Sequence, residues 1–420
     1  MSRDRAVDAV RAWAVGGVVL GHWLVTALVL APDGGLTVAS PLATMPALAP
    51  ATWLFQTLGL LFFAAGYAAT RSRARFPGGG AGWLARRMGR LALPTLALLG
   101  GGAAVLLAAI VLGAPDDTLA TAIELTISPL WFLLPLLALS ALTGALHRAV
   151  RRWGAARCVA LAVAVAVAAD LAGRLAPVAP GRLPVALLAA WSVPWLLGVA
   201  HADGRLTGRR PAVALAAGGA VALGGLLLLG WPASAVGVPG ADVSNLHPPS
   251  SAAVALAMTQ VGLALLARPA LERLVRRAAV RRAVDGVNRH AMGIYLCHQP
   301  VLIGVTALAA RAGLALPGLH TPPASAAWLA ARLGWLPLFA LVLAGLLARR
   351  RPRVSRVAAA ARRPATTARP GAPARPAGCT MIGVAGRCVG LPSGPRRPQE
   401  VIAVRDSDPP SRGRADRQPR

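Results

Sequence analysis

The sequence predicts an all-α polytopic membrane protein, and three observations carry that prediction. Of its 420 residues 56% are apolar and 14% charged, where a soluble domain carries about 25% charged residues. The mean hydropathy is +0.58. The apolar residues gather into runs of membrane length, separated by short segments whose basic residues alternate between many and almost none. This composition excludes a disordered chain and a single water-soluble globule.

A helix needs roughly 20 apolar residues to cross the hydrocarbon core. Ten runs meet that length, near 7–30, 51–70, 92–113, 127–147, 157–174, 184–200, 211–231, 251–267, 290–310 and 328–348. The first is too long, and too polar within its apolar stretch, for a cleaved signal peptide. The fifth is short and ends at Asp170; Pro184 and Pro194 interrupt the sixth.

All 44 basic residues are Arg, against 15 acidic residues. Their placement tests the ten-span reading independently. Arg71, Arg73, Arg75, Arg86, Arg87 and Arg90 follow span two; Arg148, Arg151, Arg152 and Arg157 follow span four; Arg205, Arg209 and Arg210 follow span six; Arg268, Arg273, Arg276, Arg277, Arg281, Arg282 and Arg289 follow span eight. The alternate loops at 31–50, 114–126 and 232–250 hold none. Basic residues stay cytoplasmic, so both termini are expected in the cytoplasm. Arg spaced between apolar runs also argues against nucleic acid as the partner of this charge; the partner is the lipid bilayer. The transmembrane domain is placed at 1–350. From 351 to 420 the chain turns rich in Pro, Arg, Ala and Gly without apolar periodicity, and a disordered basic cytoplasmic tail is expected there.

Four Cys (Cys158, Cys297, Cys379, Cys388) are scattered without zinc-ligand spacing, so neither a disulfide framework nor a structural metal is expected. With no Lys the chain cannot form a phosphate-cradling Gly-x-x-x-x-Gly-Lys-Ser/Thr loop. Gly78-Gly79-Gly80 reads as a flexible hinge in a basic loop. No serine nucleophile elbow and no His-Glu-x-x-His is present.

Ionisable groups inside a span are expensive and mark function. Span one holds Asp8, Arg11 and His22. From Arg11 to His22 is eleven helical steps, which aligns the two side chains to within roughly 20° and separates them by about 16 Å along the axis. Asp8, three residues before Arg11, falls on nearly the same stripe and can pair with it. One face of this helix therefore looks into protein or a cavity, and Arg11 and His22 serve two parts of one long ligand or two ligands.

Five stretches in order are similar to the membrane acyltransferase 3 family. Arg5-Ala-Val-Asp-Ala-Val-Arg11 running on through Gly21-His22-Trp23 has that family's Arg, ten residues, His spacing. Leu61-Phe62-Phe63-Ala64-Ala65-Gly66-Tyr67 resembles its Phe-Phe-x-x-Gly-Tyr stretch, with Ala65 where Ser is common. Trp83 to Leu91, then Pro94, resembles its basic loop; Leu130-Trp131-Phe132-Leu133 and Tyr295-Leu296-Cys297-His298-Gln299-Pro300 resemble two later landmarks.

The resemblance implies an integral membrane O-acyltransferase; the all-Arg usage and high Ala content point to GC-rich coding, and hence to a bacterial cytoplasmic membrane. It would move an acyl group, most often acetyl, from cytoplasmic acyl-CoA to a hydroxyl of a sugar, glycan or glycosylated metabolite. The donor is a substrate, and no tightly bound cofactor or metal is implied. His22 is the expected general base, since a near-neutral imidazole suits removal of a hydroxyl proton. Arg11 is expected on the CoA phosphates with Asp8 holding it, together with Arg71, Arg73, Arg86, Arg87 and Arg90. Tyr67 and Trp131 are expected to line the cavity, His298 to position a substrate, and Asn245, in the external loop 242–250, to bind the acceptor. The alternative is a transporter or flippase for a lipid-linked sugar, using Asp8, Arg11 and His22 as a polar pathway.

Overall fold

The computed structural model describes residues 4–175 and 182–349. The expected tail at 351–420, with Cys379 and Cys388, lies outside the described residues. Helix α1 (Arg5–Val25) leads into a hairpin of β1 (Ala27–Leu30) and β2 (Leu36–Ala39). The short α2 (Pro41–Thr44) and α3 (Thr52–Phe55) follow, then α4 (Leu58–Ala74), α5 (Gly79–Val111), α6 (Asp116–Ile127) and α7 (Leu133–Trp153). The remainder is α8 (Ala155–Leu175), α9 (Arg182–Ala202), α10 (Arg209–Leu228), α11 (Ser251–Leu266), α12 (Arg268–Arg276), α13 (Ala278–Arg311) and α14 (Ala326–Arg349).

Among the described residues, eight helical stretches are long and apolar enough to cross a membrane, and nine if α11 and α12, bent by 58°, form one span. The 21-residue α1 is outside that count because Asp8, Arg11 and His22 lower its hydropathy. At 1.5 Å per residue it still reaches about 31 Å, the thickness of a hydrocarbon core. With it, and with α11 and α12 taken as one span, the described residues hold ten span-length segments.

Several boundaries differ from expectation. Span one was expected to run to residue 30, but α1 stops at Val25 and Ala27–Leu30 pairs with Leu36–Ala39 as a strand. An apolar run of four residues does not distinguish helix from strand. Gly78–Gly80 is no hinge: Gly78 caps α5, which begins at Gly79. Span five does not end at Asp170, and α8 continues to Leu175. The Asp170 carboxylate accepts hydrogen bonds from Trp231 Nε1 at 3.0 Å and from the backbone N–H of Ser251 at 2.7 Å. It thus binds the start of α11 and is tolerated inside α8.

The two ends of the bundle are held by different chemistry. At the arginine-rich end, ion pairs join segments far apart in sequence: Arg5 with Asp285 (2.9 Å), Arg268 with Asp4 (3.1 Å) and His147 with Asp203 (2.8 Å). At the opposite end each bond uses a backbone group: Trp53 Nε1 donates to the Ala233 carbonyl (2.7 Å), the Leu30 N–H to the His320 carbonyl (3.0 Å), and the Leu36 N–H to Thr118 Oγ1 (2.9 Å).

Between them the helices pack closely through small residues. A Cβ on Gly198 would stand 2.1 Å from the Phe63 carbonyl oxygen, and one on Gly66 2.4 Å from that of Trp195. Helices α4 and α9 can meet backbone to backbone only because both positions lack a side chain. The Gly66 of the Phe-Phe-x-x-Gly-Tyr stretch therefore has a packing reason.

Candidate active site

Helix α1 packs against α13, α4 and α12. Trp13 and Leu20 are exposed on its outer side, whereas Ala14, Val15, Val18 and Trp23 are buried. The polar stripe is turned inward, as the spacing predicts. Both ends of α1 are fixed by other elements. At the start, Asp4 caps the helix by accepting from the N–H groups of Ala6 (3.1 Å) and Val7 (3.2 Å). Burial alone would raise the pKa of Asp4, but the His201 side chain, the Val7 N–H and the Arg268 charge hold it below the usual value.

At the other end, the Trp23 indole donates to the carbonyl of His298 at 3.0 Å, joining α1 to α13. Arg332 of α14 is fully buried and donates to the carbonyls of Trp23 (2.7 Å), Thr26 and Gly318 (3.1 Å), with its guanidinium over the Phe339 ring. The last carbonyls of a helix lack partners within it, and Arg332 supplies them directly after the segment carrying His22.

His22 lines a cavity of about 430 Å³ at the arginine-poor end. Gln299 and Tyr295 of α13, Trp131, the β2 end at Val38–Ala39 and the loop residues Val236 and Leu246 share its wall. The His298 ring lies 5.0 Å from that of His22, centroid to centroid. His298 Nδ1 stands 2.5 Å from the carbonyl oxygen of Tyr295. A carbonyl only accepts, so Nδ1 carries the hydrogen and Nε2 presents a lone pair. That Nε2 is buried and has no hydrogen-bond partner. The Tyr295 hydroxyl donates to the Pro129 carbonyl.

A second cavity, about 730 Å³, opens at the arginine-rich end. Arg5, Arg71, Arg268, Arg276 and Arg281 line it with Asp4, Asp203 and Glu272, and so do Tyr67 and His201. Arg268 bridges Asp4 and Glu272 (2.9 Å to the latter), and guanidinium groups outnumber carboxylates. Such a wall suits a polyanion.

The two cavities share no lining residue. Leu58 of α4 belongs to the first and Tyr67 to the second, about 13 Å apart along the helix. Phe62 and Phe63 fill the interval, Phe62 stacked on Trp191 at 4.9 Å.

The expected residues distribute over this frame unevenly. Tyr67 and Arg71 line the arginine cavity; Trp131 lines the His22 cavity. Arg11 lines neither of the two. It lies within electrostatic range of Arg87, itself hydrogen-bonded through Nε to Ser140 Oγ at 2.9 Å and close enough to Arg90 to feel its charge. Arg73 packs against Gly80 and Gly144, between α5 and α7, and Arg86 lies over the Phe76 ring. Asp8 is 3.9 Å from Arg5, and its carbonyl accepts from Asn288 at 2.8 Å.

Asn245 is not in the cavity wall. It is fully buried, its amide donates to Pro232 (2.7 Å) and Ser234 (2.9 Å), and its Oδ1 accepts from Ser250. It closes the 232–250 loop on itself, and the neighbouring Leu246 reaches the cavity instead. The sequence reading passed over Arg332, Gln299 and the Asp4–His201–Arg268 cluster. The signal for Arg332 was present, as a lone charge in an apolar run. Among the described residues Cys158 and Cys297 are buried, and no group of side chains could hold a metal ion.

This arrangement defines an integral membrane protein with a histidine cavity at one end of its bundle and an arginine-lined cavity at the other. A family model described as an acyltransferase domain matches residues 4–348, nearly the whole of the described chain. The chain belongs to the acyltransferase 3 family and is a multi-pass membrane acyltransferase. No curated protein and no solved structure matches it.

Proposed function

We propose that the protein is an O-acyltransferase that takes its acyl group, most often acetyl, from acyl-CoA on the arginine-rich side and passes it to a hydroxyl held in the His22 cavity. The acceptor is a sugar, a glycan or a glycosylated metabolite. The observation that carries this reading is the placement of His22: an imidazole in a cavity wall, inside a family of acyltransferases, with a second imidazole 5.0 Å away. His22 takes the proton of the acceptor hydroxyl as its oxygen attacks the thioester carbonyl. The carbon–sulfur bond breaks, and the CoA thiolate leaves and is reprotonated. His298, its ring 5.0 Å from that of His22, keeps an unpartnered Nε2 lone pair that is available to accept a hydrogen from the imidazole or the acceptor during the reaction.

The guanidinium groups of the second cavity, Arg71 foremost, bind the CoA phosphates. Arg11 and Arg87 stand further along the donor's course. The layer of Phe62, Phe63 and Trp191 must part for the pantetheine arm to bring its thioester to His22. In bacteria the arginine-rich side of a cytoplasmic membrane protein faces the cytoplasm, where acyl-CoA is made.

The test is CoA release from labelled acetyl-CoA by vesicles holding wild-type or His22→Ala protein at equal inserted amounts. Loss of general-base catalysis lowers the rate by about 10²–10⁴-fold. A variant that keeps the wild-type rate contradicts the assignment of His22.

A further inference from the structure

The wall of the His22 cavity restricts what can sit in it. Among the described residues it holds no Arg, Asp or Glu. Most of it is aliphatic, with Leu42 of α2, Leu125 of α6 and Leu329 and Leu333 of α14. Its polar side chains are largely engaged with the protein. Gln56 Oε1 accepts the Leu58 N–H (3.3 Å), Ser40 Oγ accepts that of Leu42 (3.3 Å), and Thr52 Oγ1 accepts that of Ala235 (2.8 Å).

Gln299 differs. It is 2% exposed, it lines the cavity, and its Oε1 is buried without a hydrogen-bond partner. A buried amide oxygen left unpaired costs about 1–3 kcal/mol, so a ligand that donates to it is favoured. A body covered in hydroxyls would be stripped of water here with few groups to replace it. A charged body would find no counter-charge. The polyanionic donor is matched at the other end of the bundle, which leaves this cavity to the acceptor. Its volume, about 430 Å³, is that of a drug-sized molecule.

We infer that the acceptor is an uncharged alcohol whose body is mostly apolar, packed on the leucine wall with one hydroxyl donating to Gln299 Oε1 and another beside His22. This deepens the acyltransferase reading and rests on it. A glycoside with an apolar aglycone fits; an oligosaccharide chain lying in the cavity does not.

Binding of model alcohols tests it without requiring turnover. The purified full chain in lipid nanodiscs is titrated by calorimetry with n-hexyl β-D-glucoside, methyl β-D-glucoside and n-hexyl β-D-glucuronide. The hexyl glucoside is expected to bind at least about tenfold tighter than the methyl glucoside, since five more methylenes are buried, and the charged glucuronide to bind at least about tenfold weaker than the hexyl glucoside. Gln299→Leu is expected to weaken the hexyl glucoside about tenfold. Leu329→Trp, which fills the cavity, is expected to abolish binding and so separates it from partition into lipid.

Equal binding of the two glucosides, or hexyl glucoside binding untouched in both variants, overturns the inference. So does displacement of the hexyl glucoside by octanoyl-CoA but not by acetyl-CoA, which gives the cavity to the acyl chain. If the binding order holds while His22→Ala releases CoA at the wild-type rate, the cavity assignment stands and the role of His22 falls.

Discussion

Arg332 shows how much a single side chain can decide about the site without entering it. Its three hydrogen bonds satisfy carbonyls at Trp23, Thr26 and Gly318, and two of these follow His22 within four residues. Arg332→Met leaves those acceptors buried and unpaired, at roughly 1 kcal/mol each, so about 3 kcal/mol of stability is expected to be lost. Thermal unfolding in detergent measures it. Arg332→Lys recovers only part, because an ammonium cannot span three acceptors as a planar guanidinium does. At this scale the sequence was legible where periodicity applied. Asp8, Arg11 and His22 fall on one stripe by helical geometry alone, and the stripe is turned inward. Arg332 stands out as a lone charge in an apolar run, but its task was not legible, because its partners are backbone atoms about 14 and 300 residues away and carry no residue signature. Asn245 misled for a related reason: a polar residue in a loop reads the same whether it faces a ligand or ties the loop together.

At the scale of elements, α1 is a rod held at both ends. Asp4 ties its start to His201 and Arg268, and Arg332 and Trp23 tie its end. Asp4→Asn keeps a capping oxygen but removes the charge that faces Arg268, at about 1 kcal/mol near neutral pH. Because the carboxyl of Asp4 titrates below its ordinary value of 3.8, that contribution is fully present above about pH 4 and disappears as pH falls through the lowered pKa. Melting temperatures of wild type and Asp4→Asn should therefore differ at pH 7 and converge at strongly acidic pH. Helices α4 and α9 carry the Phe62–Phe63 layer that divides the cavities, and their approach depends on Gly66 and Gly198. Gly198→Ala places a methyl on the Phe63 carbonyl and is expected to cost about 1–3 kcal/mol as overpacking, read as a lower melting temperature. The ten apolar runs were legible because each is longer than any soluble core helix requires. The hairpin at 27–39 was not, since Ala27–Leu30 is as apolar as the span before it. The early start of α5 was hidden as well, because glycines that open a helix and glycines that break one look alike in sequence.

On the scale of the whole molecule, the charge asymmetry that orients the bundle also separates two chemistries. One end gathers guanidinium groups around a 730 Å³ cavity, and the other builds an uncharged 430 Å³ cavity around His22. Composition and Arg placement made the bundle legible from sequence. They did not reveal that the site is two cavities, because the barrier is an aromatic layer assembled from α4 and α9, and its residues look like ordinary core. Under the proposed function the division makes the reaction sided, with the donor taken from the arginine-rich face and the acceptor from the other. Sealed vesicles of the two opposite orientations, given labelled acetyl-CoA from outside and a membrane-permeant alcohol acceptor, test this most directly. Rapid acetyl transfer only when the arginine-rich face is outward, with His22→Ala abolishing it, is the expected result. Equal transfer from both orientations, or movement of the acceptor across the membrane with no CoA released in either, would contradict it.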